Sequence, residues 1–133
     1  MKAPTIDQYI ERTARKLGPK GWFELHPRAS RLLERAAQAD SVRHPRLCAQ
    51  ASVLQLLLSS PGKKEIPPEL ASELAVAASY LLKGFDIIPD GVKEIGFDDD
   101  AVLLDRVFAR NRDRLEEFLG DVLSPDQIVL LFP

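Results

Sequence analysis

The sequence predicts an all-α fold, a compact multi-helix bundle with a short acidic Asp-Ile-Ile-Pro-Asp junction. Three observations carry that prediction. Apolar residues recur at three- and four-residue spacing through most of the chain. Proline and glycine fall between the periodic runs rather than inside them. No long alternating run suggests a sheet. The 133 residues, 45% hydrophobic and 29% charged, suit one helical domain over 1–133 that hides roughly two-thirds of its extended surface on folding.

The first helix is capped by Thr5, and Ile6, Tyr9, Ile10, Thr13 and Leu17 mark its inner face. Gly18 and the Pro19-Lys20-Gly21 stretch are expected to end it. Trp22, Phe23 and Leu25 then form an apolar cluster beside a turn, either a plug over the bundle end or, for Trp22 and Phe23, a partner surface. A second helix runs from Pro27 or Ala29 to Gln38, with Leu32, Leu33, Ala36 and Ala37 inward. Pro45 opens a third, whose apolar side is Leu47, Ala51, Leu54, Leu57 and Leu58.

After a loop from Ser60 to Glu65, Pro68 starts the helix with the broadest apolar face, from Leu70 to Leu82, and this is the expected central helix. It ends at Gly84. One long helix is expected from Asp98 or Asp99 to Leu119, with Leu103, Leu104, Val107, Phe108, Leu115 and Phe118 inward. Ser124-Pro125 caps and opens a short last helix. That helix contains Ile128 and Leu131, the alternative being a Val129–Phe132 tail that is extended or packed onto another subunit.

The near-neutral net charge of −2 hides a division. Residues 1–61 carry ten Lys/Arg against five Asp/Glu, and residues 62–133 carry eight against fifteen. The basic half holds Arg12, Arg15, Lys16, Lys20, Arg28, Arg31, Arg35, Arg43 and Arg46. A phosphate-facing stripe with Trp22 or Phe23 as a stacking platform is one reading of it. Interrupting glutamates and Asp40 weigh against nucleic acid. Peripheral membrane contact through a basic helix is another reading. No stretch has the length and apolarity of an integral span, and the N-terminus lacks a signal-peptide core.

The one cysteine, Cys48, excludes an internal disulfide and fits a cytoplasmic, reducing setting. Its apolar neighbours predict a buried, inert thiol. His26 and His44 each precede a proline, as at helix starts, with no cysteine or acidic cluster beside them. Phosphate-binding loops, dinucleotide loops and the His-Glu-x-x-His zinc motif are all missing from the sequence.

One segment stands apart. Tyr80-Leu81 leads through Asp86-Ile87-Ile88-Pro89-Asp90 to Gly96, Asp99 and Asp100. These residues resemble the YkvA-like family, a bacterial domain of unknown function, over roughly residues 52–108. Tyr80, Asp86, Pro89, Asp90, Gly96, Asp99 and Asp100 match its pattern position by position. Phe85 and Lys93 stand where the family often has proline, and the polar Lys93-Glu94 weighs against membrane proximity. The resemblance implies two helices joined by a structured acidic segment and implies no reaction.

The aspartates themselves support two readings. As structural residues, Asp86 and Asp98 or Asp99 cap following turns, and Tyr80 directs its hydroxyl toward one of them. As ligands, Asp86, Asp90, Asp99 and Asp100 converge to hold Mg²⁺ or Ca²⁺. The first reading predicts a noncatalytic protein-interaction or regulatory protein, without cofactor, that meets a protein partner or its own copy. The second predicts a metal-dependent hydrolase. The sequence leaves open whether the protein is an enzyme.

Overall fold

Thr5 opens the first helix through a reciprocal pair of hydrogen bonds. The Gln8 amide donates to its hydroxyl at 3.1 Å, and its own amide donates to the Gln8 side chain at 3.0 Å. From this cap α1 runs over Ile6–Glu24. The computed structural model describes residues 5–39, 42–59, 66–83 and 98–133. Among them are α2 (Ala29–Gln38), α3 (Pro45–Ser59), α4 (Pro68–Lys83), α5 (Asp98–Arg110), α6 (Arg112–Leu119) and α7 (Pro125–Val129), with no strand. A 3₁₀ turn, His26–Arg28, links α1 to α2. The all-α expectation is therefore met.

The first helical run is broken at Gly18, as expected, but a second run follows it directly where the sequence suggested only a turn. That glycine takes φ 61°, ψ 179°, a backbone region essentially closed to other residues. Pro19 then supplies a first-turn φ and the helix resumes to Glu24. The kink re-aims the last turns. Trp22 swings into the core at 1% exposure while Phe23 stays 60% exposed. The expected surface pair is thus split, and Trp22 is a core residue.

In α2 the inward stripe is narrower than its composition suggests. Ala29, Leu32 and Ala36 are buried, whereas Leu33 is 41% exposed and Ala37 faces outward. One position along a helix rotates a side chain by about 100°, enough to carry Leu33 off the stripe.

The predicted central helix is central. α4 buries residues nearly all round, among them Leu70, Ala71, Leu74, Ala75, Ala77, Ala78 and Leu81. It packs against α1, α2, α3 and α5. Its alanines let neighbouring backbones approach closely. One hydrophobic cluster runs from Ile10 through these residues to Phe132. Each large aliphatic side chain fully buried there contributes about 1.5–3 kcal/mol.

The long helix expected up to Leu119 is two helices. Asn111 breaks it at φ −112°, ψ 19°. Its side-chain amide donates to the Val107 carbonyl at 2.8 Å and to Glu73 Oε1 at 3.0 Å. A short amide that bonds local backbone competes with helical continuation, and the bond to α4 fixes where the break falls.

Ser124 caps α7 as predicted, in the same reciprocal arrangement with Gln127. The helix ends at Val129, short of the expected Leu131, and the tail beyond it packs onto its own chain. Leu131 and Phe132 are buried. The Phe132 ring lies 6.2 Å from that of Phe108, and the Arg112 guanidinium sits 5.0 Å over its centroid.

Candidate functional site

Of the seven motif residues, the described structure places three. Tyr80, in the last turns of α4, is 4% exposed and meets Tyr9 edge to face, with centroids 6.2 Å apart at 83°. Asp100, in the first turn of α5, is 1% exposed. Asp99 lies in the same first turn. Asp86, Pro89, Asp90 and Gly96 lie outside the described residues. Among the described residues no group of three or more His, Cys, Asp or Glu side chains is arranged to hold a metal ion.

What the fold does bring together is a set of charges that the sequence reading missed. Arg110 of α5 reaches α1 and α4 at once. Its Nε and Nη2 donate to the two carboxylate oxygens of Glu73, at 2.9 and 3.3 Å. Its Nη1 donates to Asp7 and to Glu11, both at 3.3 Å. Arg106, one turn earlier, makes a fork to Asp7 at 2.6 and 3.0 Å. The Arg106 hydrogen bond is the main reason the Asp7 carboxyl titrates below its ordinary range, against a smaller opposing effect of burial. Hydrogen bonding to Glu73 raises the Arg110 pKa, so its charge is permanent.

A second network ties α3 to α5 and the tail. Arg46 makes a fork to Asp105 at 2.8 and 3.2 Å. The fully buried Gln50 donates to Asp105 Oδ1 and to the Leu131 carbonyl, each at 2.9 Å. Its Oε1 is buried with no partner among the described residues. A glutamine inside the apolar run Leu47–Leu58 was the available sequence signal for this network.

His26 links the turn after α1 to the end of α3. His26 Nδ1 lies 2.6 Å from the Leu58 carbonyl at the end of α3. A carbonyl only accepts, so Nδ1 carries the proton. Arg35 likewise donates to the Leu81 carbonyl at 3.0 Å, at the end of α4. Cys48 is half-buried rather than buried, with its thiol 3.7 Å from the Ala36 carbonyl.

An open groove of about 530 Å³ runs between α1 and α4 beside the Gly18 kink, lined by Glu11, Arg15, Pro19, Glu69 and Glu73 among others. Glu11 and Glu73 are already engaged by Arg110. No helix among the described residues is long and apolar enough to cross a membrane. Comparison with family models, curated proteins and solved structures yields no match.

Proposed function

We propose that this chain is a small noncatalytic protein-interaction or regulatory protein. One observation carries the reading, the two-sided apolar character of the C-terminal segment. Leu131 and Phe132 are buried against the bundle, while Val129 and Leu130 beside them are each 64% exposed. The segment is held from behind by the Gln50 hydrogen bond and the Phe108 contact. A partner meeting Val129 and Leu130 would therefore gain apolar burial without first ordering a loose chain.

The same reading takes residues 52–108 as a YkvA-like core. Burial of Tyr80 and Asp100, on the two helices flanking the acidic junction, supports that assignment. It assigns no cofactor. A cytoplasmic location suits a chain whose single thiol needs no oxidising compartment.

The test is size-exclusion chromatography and pull-down at native concentration, comparing the full chain with a Val129→Asp/Leu130→Asp variant. A complex or oligomer formed by the parent and lost in the variant is expected. A parent that stays monomeric and captures no specific partner would overturn the proposal.

A further inference from the structure

Charge is sorted across α1 by the fold. Asp7 and Glu11 turn toward α4 and α5, where Arg106 and Arg110 engage them. Arg12, Arg15 and Lys16 are exposed, and among the described residues none has a carboxylate within ion-pair distance. Glu11 stands four residues before Arg15, the favourable spacing for a helical ion pair. Yet its carboxylate goes to Arg110, and Arg15 instead donates to the Glu11 backbone carbonyl at 3.4 Å.

Arg12, Arg15 and Lys16 are neighbours at three- and four-residue spacing, so their like charges repel and weaken the helix. By contrast, Arg46, Arg106, Arg110 and Arg112 all meet carboxylates. Farther along the same helix lie Lys20, only loosely paired with Glu24 at 3.8 Å, and the 60%-exposed Phe23. Basic side chains that form no ion pair before the Gly18 break, with a projecting aromatic ring beyond it, match the chemistry of an anionic bilayer surface. The cations meet lipid phosphates, and the ring enters the interfacial layer. Stacking on a nucleic-acid strand calls for several free rings in succession. Here Tyr9, the other α1 aromatic at the surface, is already packed against Tyr80.

Going beyond the protein-interaction reading, we infer that Arg12, Arg15 and Lys16, with Phe23, form a face that docks α1 onto anionic membranes. The binding is peripheral and electrostatic, so it weakens as salt rises.

Vesicle co-sedimentation of the full chain tests this, with phosphatidylcholine alone compared with phosphatidylcholine containing phosphatidylserine. Salt-sensitive binding to the anionic vesicles only is expected. Neutralising one of Arg12, Arg15 or Lys16 to Gln should weaken it about fivefold, equivalent to about 1 kcal/mol per basic residue at the surface. Phe23→Ser should weaken it further, and Arg112→Gln, which removes a charge from α6, should leave it within twofold. All five positions are exposed, and circular dichroism verifies that each variant stays folded. Absent binding, equal binding to both vesicles, or an Arg112→Gln loss as large as that of Arg12→Gln would overturn the inference. So would duplex or single-stranded nucleic acid that displaces the protein from the vesicles through the same three residues. The Val129→Asp/Leu130→Asp variant should bind vesicles normally, which separates this result from the fate of the protein-interaction proposal.

Discussion

Arg110 and Glu73 face each other as two parallel forks, Nε to Oε1 at 2.9 Å and Nη2 to Oε2 at 3.3 Å, joining α5 to the central helix. Both side chains are largely enclosed, at 20% and 16% exposure. Enclosure raises the cost of leaving one member alone, because a charge withdrawn from water then has no counter-ion. Arg110→Met should lower unfolding free energy by about 2–4 kcal/mol, measured by urea denaturation. Adding Glu73→Leu should recover part of that loss. A single-variant loss below about 0.5 kcal/mol, the range of ordinary surface pairs, would show that the fork contributes little.

Asp7 makes the outer part of the same network depend on pH. Its folded pKa lies below the ordinary 3.8, chiefly through Arg106. The resulting stability is present in full above the unfolded value and is lost as pH falls through the folded one. The advantage of the parent over Asp7→Asn should therefore hold at neutral pH and shrink in the acid range below 3.8. Asp7 is 37% exposed, so added salt should reduce the difference as well. A gap that widens on acidification contradicts the assignment.

Gly18 is a backbone requirement rather than a packing one. A Cβ there would meet nothing within 4 Å, but φ is +61°. Gly18→Ala should cost about 1–3 kcal/mol. Gly18→Asn should not rescue it, because asparagine tolerates left-handed helical ψ and not the extended ψ of 179° found here. Thermal and urea midpoints decide the matter, and an asparagine variant as stable as the parent would refute it.

Trp22 and Phe23 are neighbours with opposite expected behaviour. Trp22→Ala should cost about 3–5 kcal/mol, as for other large core aromatics. Phe23→Ser should stay within about 0.5 kcal/mol. Equal losses would mean that the kink at Gly18 does not aim the two rings as described.

Gln50 anchors the tail by donating two hydrogen bonds. Gln50→Glu would set a carboxylate against Asp105 Oδ1 and the Leu131 carbonyl, two acceptors. A loss of about 1–3 kcal/mol is expected, together with faster proteolysis after Leu119. Unchanged protection of the tail would count against its role as an anchor.

Much of this molecule was written locally. Thr5 and Ser124 were recognisable as caps because capping is decided within four residues. The breadth of the apolar face between Leu70 and Leu81 was enough to mark the central helix, since a helix apolar nearly all round must be enclosed. Composition also showed that the two halves carry opposite charge.

Other features needed contacts between distant parts of the chain. Nothing near Gly18 states that the helix restarts beyond it, and nothing near Trp22 states that this ring, rather than Phe23, turns inward. Asn111 breaks a helix at the point where it meets Glu73, 38 positions away. Arg106 finds Asp7 across 99 positions. Spacing along one helix shows which residues share a face, but only packing brings a distant carboxylate to an arginine. The same packing draws Asp7 and Glu11 inward and leaves Arg12, Arg15 and Lys16 without an ion pair among the described residues, so a charge imbalance visible in the sequence becomes a particular stretch of α1.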